Sequence, residues 1–290
     1  MFATLRRYTP FFIAFFSALI VFGSMFGIAC YLVLNQDKTV DSTVSNVPIV
    51  DDSYTPTAED NLTVVFMANT EQNLSPSCYL LLHFNAVTNQ CTVVSIPPQA
   101  QLSLNNTPKT VEECYRWGGM ERAAQAISSY FALDNACYLR TDYEQLQAFG
   151  DYFSGVTYTL EQEITTDEFH FQAGKQLLDG ARMASLLLSG EFTGKAELMQ
   201  TFLLSHMNAD LMNRLEDFYD FLFAHTDTNL NRVLLHRLNK PAHRFLRSPY
   251  DKVTAVQLDT VPKDGILLPN AQQTEELRQK FTVDSIPQTT

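Results

Sequence analysis

Residues 78–97, Cys78-Tyr-Leu-Leu-Leu-His-Phe-Asn-Ala-Val-Thr-Asn-Gln-Cys-Thr-Val-Val-Ser-Ile-Pro97, narrow the possible folds most. Two apolar runs, 79–84 and 92–96, flank a polar segment, 85–90, with asparagine near each end. That pattern predicts a β-hairpin. Neither run alternates polar with apolar, so both faces of the strands should be covered. The hairpin therefore belongs in the middle of a sheet with helices on each side. Sites are often built where strands stop. Here Ser75-Pro-Ser77 and Pro97-Pro-Gln99 stand beside the strand ends.

The rest of the chain supplies the layers. Leu62–Met67 reads as a buried strand, 99–110 as a polar loop and Gly118-Gly119 as the turn before a helix at 121–131. Cys137–Leu139 and Gly155–Leu160 read as strands. Asp142 opens a second helix through a capping-box pattern, and Asp179 caps a third reaching Leu188. Apolar stations from Leu198 to Phe221 predict one long helix over 195–225. The segments 253–258 and 266–268 read as paired strands, and 270–281 as a last helix. Alternating strands and helices predict an α/β fold, a mixed β-sheet sandwiched between helices.

Residues 11–34 carry no charge. As a helix they would span about 36 Å, enough to cross a bilayer. Arg6-Arg7 before them and Asp37 after them put the N-terminus in the cytoplasm and the remainder outside. The expected organisation is a cytoplasmic tail (1–10), a transmembrane helix (11–34), an extracytoplasmic linker (35–60), an α/β domain (61–282) and a flexible tail (283–290). Only Arg6 and Arg7 precede residue 35, which leaves 18 basic against 32 acidic residues and a net charge of −14 beyond it. Such acidity argues against nucleic acid as a partner and gives no general attraction to anionic headgroups.

Cys78, Cys91, Cys114 and Cys137 all lie beyond the expected anchor and permit three complete disulfide pairings, or none. No two cysteines have zinc-site spacing, the six histidines are scattered, and there is no phosphate loop or nucleophile elbow. His83 reads as a satisfied core histidine.

The order of four motifs, spread over 62–203, resembles the LytR–CpsA–Psr family of Gram-positive envelope proteins. Val93-Val-Ser-Ile-Pro97 is similar to that family's VSIPRDT, and Tyr115-Arg-Trp-Gly-Gly119 to AYxxGG. Tyr138-Leu-Arg-Thr-Asp-Tyr143 is similar to YxRVDF, and Leu178-Asp-Gly180 to LxG. The resemblance implies a mixed sheet between helices around an apolar tunnel for a polyprenyl chain. It also implies transfer of a glycopolymer from a polyprenyl pyrophosphate, with arginines on the pyrophosphate and aspartates holding Mg²⁺. Bidentate guanidinium forks and a divalent cation suit that charge.

This chain departs from the family at the charged positions. RSDT reads Ser75-Pro-Ser77-Cys78, and IPRD reads Ile96-Pro97-Pro98-Gln99. YxRxR reads Leu186-Leu-Leu-Ser-Gly190, and RxxRQQ reads Lys195-Ala-Glu-Leu-Met-Gln200. Ser75, Ser77, Pro98, Gln99, Leu188 and Gly190 thus stand where charged groups are expected, and Arg140 and Lys195 remain as candidates for a lipid pyrophosphate. The expectation is an accessory protein of envelope assembly without catalytic residues, metal or cofactor. It would be partnered by the membrane and by a polyprenyl-linked glycan or a related envelope protein. The alternative is an active phosphotransferase using Arg140, Asp142, Lys195 and Glu197, with Mg²⁺.

Overall fold

The computed structural model describes residues 54–71, 75–104, 107–134, 136–247 and 252–282. The expected tail (1–10), the anchor (11–34), most of the linker and the 283–290 tail lie outside them. Among the described residues no helix is long and apolar enough to cross a membrane. Residues 54–60 of the expected linker already belong to the domain. Thr57 and Asp60 close a capping box around a 3-10 turn, and Arg237 donates to the Glu59 carbonyl at 3.2 Å.

The chain enters the sheet as β1 (Leu62–Ala68) and makes the 78–97 hairpin as β2 (Cys78–Asn85) and β3 (Gln90–Ser95), with Phe84 opposite Cys91. Asn89 has φ 56°, a left-handed value that asparagine tolerates, and the Asn85 side chain accepts from the Thr88 amide at 3.0 Å. The expected loop 99–110 is a second hairpin, β4 (Gln101–Leu104) and β5 (Thr107–Thr110). Cross-strand pairing overrides its polar sequence.

Helix α1 (Val111–Tyr130) starts earlier than its apolar spacing suggested, because Thr110 and Glu113 form a capping box. The expected turn at Gly118-Gly119 is an internal break, with Gly119 at φ 66°. Next come β6 (Cys137–Thr141), α2 (Tyr143–Tyr152), β7 (Val156–Leu160), β8 (Ile164–Thr165), β9 (His170–Phe171) and β10 (Gly174–Leu178). Asp142 caps α2, and Asp179 caps α3 (Gly180–Leu188).

The single helix expected over 195–225 is three: α4 (Lys195–His206), α5 (Ala209–Met212) and α6 (Leu215–Ala224). The Asn208 side chain accepts from the amides of Asp210 and Leu211, which restarts the helix in a new direction. After β11 (Asp227–Thr228), two helices not foreseen follow, α7 (Arg232–Arg237) and α8 (Asn239–Leu246). The strands expected to pair with each other do not. Instead β12 (Val253–Gln257) adds in parallel to β3. Meanwhile β13 (Thr260–Lys263) and β14 (Ile266–Pro269) form their own hairpin across Asp264-Gly265, both at positive φ, a two-residue turn matched to strand twist. Helix α9 (Ala271–Phe281) ends the described chain.

The main sheet has the order β11-β6-β1-β2-β3-β12, with β1–β6 and β3–β12 parallel and the other pairs antiparallel. One face carries Val65, Met67, Leu81, Val94 and Ile96 against α1 and α9. The other carries Phe66, Leu80 and Val93 in the core shared with α2, α3 and α4. Each such buried side chain contributes roughly 1.5–3 kcal/mol. Helices α2 and α3 meet at two glycines. A Cβ on Gly150 would lie 2.6 Å from the Gly180 Cα, and one on Gly180 would lie 2.1 Å from the Gln147 carbonyl. The Gly180 amide also donates to Asp151 at 2.9 Å. This crossing fixes where α3 ends.

Cys78, Cys91, Cys114 and Cys137 are free thiols, so none of the permitted pairings forms. Burial pushes Cys78 up to about 11 and Cys91 to about 12, which makes both poor nucleophiles. His83 is buried as expected, its Nδ1 3.0 Å from Thr63 Oγ1 and its ring beside Phe281, whose backbone it also reaches.

Candidate functional site: a strand-end cleft and an apolar cavity

The segments before β2 and after β3 converge with the loop between α3 and α4. They enclose a cleft of about 480 Å³ lined by Ser75, Ser77, Pro98, Gln99, Gly190 and Lys195, together with Tyr79, Glu112 and Gln257. Six positions singled out from the sequence therefore share one place. Leu188 lies beside it, its carbonyl accepting from the Ser77 hydroxyl at 3.1 Å. That bond ties the end of α3, placed by the glycine crossing, to the approach to β2.

Lys195 is 9% exposed and donates to the Ser77 carbonyl at 3.2 Å. No carboxylate pairs with it among the described residues. Burial lowers its pKa, and the neighbouring Cys78 works in the opposite direction. A buried ammonium with one carbonyl partner has donors left for an anion. The cleft also holds two buried oxygens without hydrogen-bond partners, the Tyr79 hydroxyl and Gln257 Oε1. Burial, then Tyr115 and Glu112, drive the Tyr79 phenol well above the usual tyrosine range, so it remains a donor. Sequence reasoning missed Tyr79 and Gln257. The available signal was a tyrosine at the start of a leucine run.

The cleft does not fit Mg²⁺. Its one lining carboxylate is Glu112, which lies 3.8 Å from Arg116, while the Ser77 carbonyl faces the Lys195 ammonium. A hard divalent cation wants several carboxylate or carbonyl oxygens free of a competing cation.

The other charged candidates lie elsewhere. Arg140 is buried on β6 and donates to Asp227 at 2.7 Å and Asn69 at 3.2 Å, outside the cleft lining. The Asp142 carboxylate caps α2 by accepting from the Gln145 amide at 3.0 Å. Glu197, on the first turn of α4, is absent from the cleft lining, and its buried Oε2 has no partner. Arg140, Asp142, Lys195 and Glu197 therefore do not meet at one point.

At the opposite end of the same strands lies an apolar cavity of about 240 Å³. Val64, Leu82, Phe84 and Cys91 form its floor, and residues of α4 to α8, among them Met207 and Leu246, its walls and roof. No charged residue lines it. Cys78, Leu80 and Val93, all buried in one core, stand between cavity and cleft. Helix α4 runs from one to the other, with Lys195 in the cleft and Leu203 on the cavity, about 12 Å along its axis.

A mixed sheet between two helical layers, a cleft holding a buried lysine at one strand end and an apolar cavity at the other define the class. The sequence profile of the LytR_cpsA_psr family matches residues 37–281, and the chain belongs to that family. No curated protein matches the chain significantly. Among solved structures it is similar to a protein from Eubacterium siraeum described as a transcription regulator (16% identity, TM-score 0.72, covering 83% of this chain and 98% of that one). It is also similar to B. subtilis TagV (12%, TM-score 0.63, 78% and 98%). A third is TagT bound to LI-WTA (14%, TM-score 0.59, 81% and 95%). At these identities the likeness concerns the fold.

Proposed function

We propose that this protein is an accessory, non-catalytic member of its family that binds the anionic head of a polyprenyl-linked cell-wall glycopolymer at the strand-end cleft. In this reading it is held by a 11–34 anchor with the domain outside the cell. The observation that carries it is Lys195, a buried cation with no carboxylate partner among the described residues, on a cleft that Tyr79 also lines. TagT's ligand, LI-WTA, supports the glycopolymer class. The apolar cavity is separated from the cleft by Cys78, Leu80 and Val93, so it suits a separate apolar guest rather than the chain of the lipid whose head the cleft holds.

Transfer is the weaker reading. Losing one preorganised electrostatic group costs about 10²–10³ in rate, and here Ser77, Pro98, Gln99, Leu188 and Gly190 replace several. The test incubates purified protein with a polyprenyl-pyrophosphate-linked saccharide, peptidoglycan and Mg²⁺. Binding that falls about tenfold in Lys195→Met, without turnover, is expected; tenfold corresponds to about 1.4 kcal/mol, within the range of one charged hydrogen bond. Turnover well above a no-protein control, abolished by Lys195→Ala or Arg140→Ala, would overturn it in favour of the phosphotransferase.

A further inference from the structure

Residues 232–247 carry Arg232, Arg237, Lys240, Arg244 and Arg247 and no carboxylate, in a chain of net charge −12. They form α7 and α8, whose apolar side is turned inward. Leu235, Leu238, Phe245 and Leu246 roof the apolar cavity. Val233 stands on the outer side, 81% exposed.

The acidic neighbours of this face are Glu216 and Asp220 on α6 and Asp60, which accepts from the Tyr54 hydroxyl at 2.8 Å. Asp220 and Glu216 pair with Arg232, and Glu216 also lies 3.6 Å from His236. Further along, Arg237 donates to the Glu59 carbonyl at 3.2 Å and Arg244 to the Ala86 carbonyl at 3.0 Å. A backbone carbonyl carries no net charge, so neither of these two bonds neutralises its guanidinium. Arg244 is also near enough to Lys252 to add to the burial that lowers that ammonium's pKa, which places a further positive group here. Finally, the Lys240 ammonium sits 5.8 Å from the Tyr54 ring, where the described chain begins. A chain arriving from the expected anchor enters the domain on this face.

We propose that the α7–α8 face docks on an anionic phospholipid bilayer, as a contact separate from the expected anchor. A short amphipathic unit with basic side chains outside and an exposed valine among them suits the headgroup layer. Each Lys or Arg near an anionic leaflet raises partitioning about fivefold. An acidic protein or a nucleic acid would use the charges but not Val233, and would not account for the entry of the chain beside Lys240. The inference does not depend on what the cleft binds.

The test uses the full chain reconstituted in phosphatidylcholine vesicles, with or without phosphatidylglycerol, containing acyl-brominated lipid. Trp117, the only tryptophan, is replaced (Trp117→Phe), and Val233→Trp supplies the reporter. Quenching at position 233 is expected to rise at least about fivefold with phosphatidylglycerol. It should fall to the neutral-vesicle level in Arg237→Glu and in Arg247→Glu, and also at about 1 M salt, where screening acts within about 3 Å. A reporter at Val261, 62% exposed on the β13–β14 hairpin, should stay unquenched. Equal quenching at 233 and 261, or quenching indifferent to phosphatidylglycerol, would reduce the effect to tethering and overturn the proposal. Capture of polyglutamate or a DNA oligonucleotide without quenching would overturn it in favour of another polyanion.

Discussion

The two ends of the β1–β3 meander are built from the same strands and solve opposite problems. At the cleft end the strands run out into Ser75-Pro-Ser77 and Pro97-Pro-Gln99, and the walls mix polar groups with prolines, Phe192 and Leu267, with Lys195 and Glu112 the charged side chains. At the cavity end the strands finish in Leu82, Phe84 and Cys91, and the walls are helices presenting leucine and phenylalanine. One end holds polar groups that lack partners; the other has a volume that lacks polar groups. At the first, the Lys195 ammonium is the donor suited to an anion's oxygens; the second suits a hydrocarbon. The packed core between them shows that sharing a sheet does not require sharing a continuous channel.

The comparison breaks most readily at the glycine crossing. Gly180→Ala forces a Cβ to within 2.1 Å of the Gln147 carbonyl, and overpacking of this kind costs about 3 kcal/mol. Urea unfolding should register that loss. Pyrophosphate binding at the cleft should fall more than binding of an apolar fluorophore in the cavity, because α3 ends at the cleft.

The next effect belongs to His83, next to Phe84 at the cavity end of β2. Burial lowers its pKa from 6.5 to about 4. The unfolded chain therefore takes up the proton first as pH falls. Stability contributed by the neutral ring is complete above pH 6.5 and declines toward pH 4, by about 3 kcal/mol. Thermal unfolding across that window should slope, and His83→Gln should flatten it; equal slopes would remove the assignment.

Asp227→Ala is a smaller perturbation that separates Arg140 from the cleft. It leaves a buried guanidinium short of its carboxylate. Because Asp227 is half exposed, water replaces part of the interaction, and the cost should be about 2 kcal/mol. Pyrophosphate titration of the folded variant should match the parent. The smallest change in stability, under about 1.5 kcal/mol, is expected for Ala242→Leu, which adds volume to the cavity roof. It should displace the apolar fluorophore while leaving the cleft unaltered.

Much of this was legible in the sequence, for identifiable reasons. Unbroken apolar runs placed β1, β2 and β3 at the centre, and Asp142 and Asp179 announced two helix starts through local capping. The six cleft positions came from motif order, which survives where side chains have changed. What failed was non-local. The partner of β12 is β3, far away in the chain, whereas sequence proximity suggested a hairpin with 266–268. The 195–225 helix looked continuous because apolar spacing persists through Asn208, whose amide-capping side chain breaks it. The basic run 232–247 was present in plain text, yet a net charge of −14 averaged it away.

The parallel pairing of β12 with β3 also bears on how the molecule is made. Until residues 253–257 are available, β3 presents an unpaired edge of Cys91, Val93 and Val94. Open apolar edges invite pairing with other chains, and closing a ladder across more than 150 residues is slow. The sheet can be completed only when nearly the whole chain stands on one side of a barrier. For a domain expected outside the cell, that keeps the polypeptide unfinished, and so threadable, for as long as export lasts.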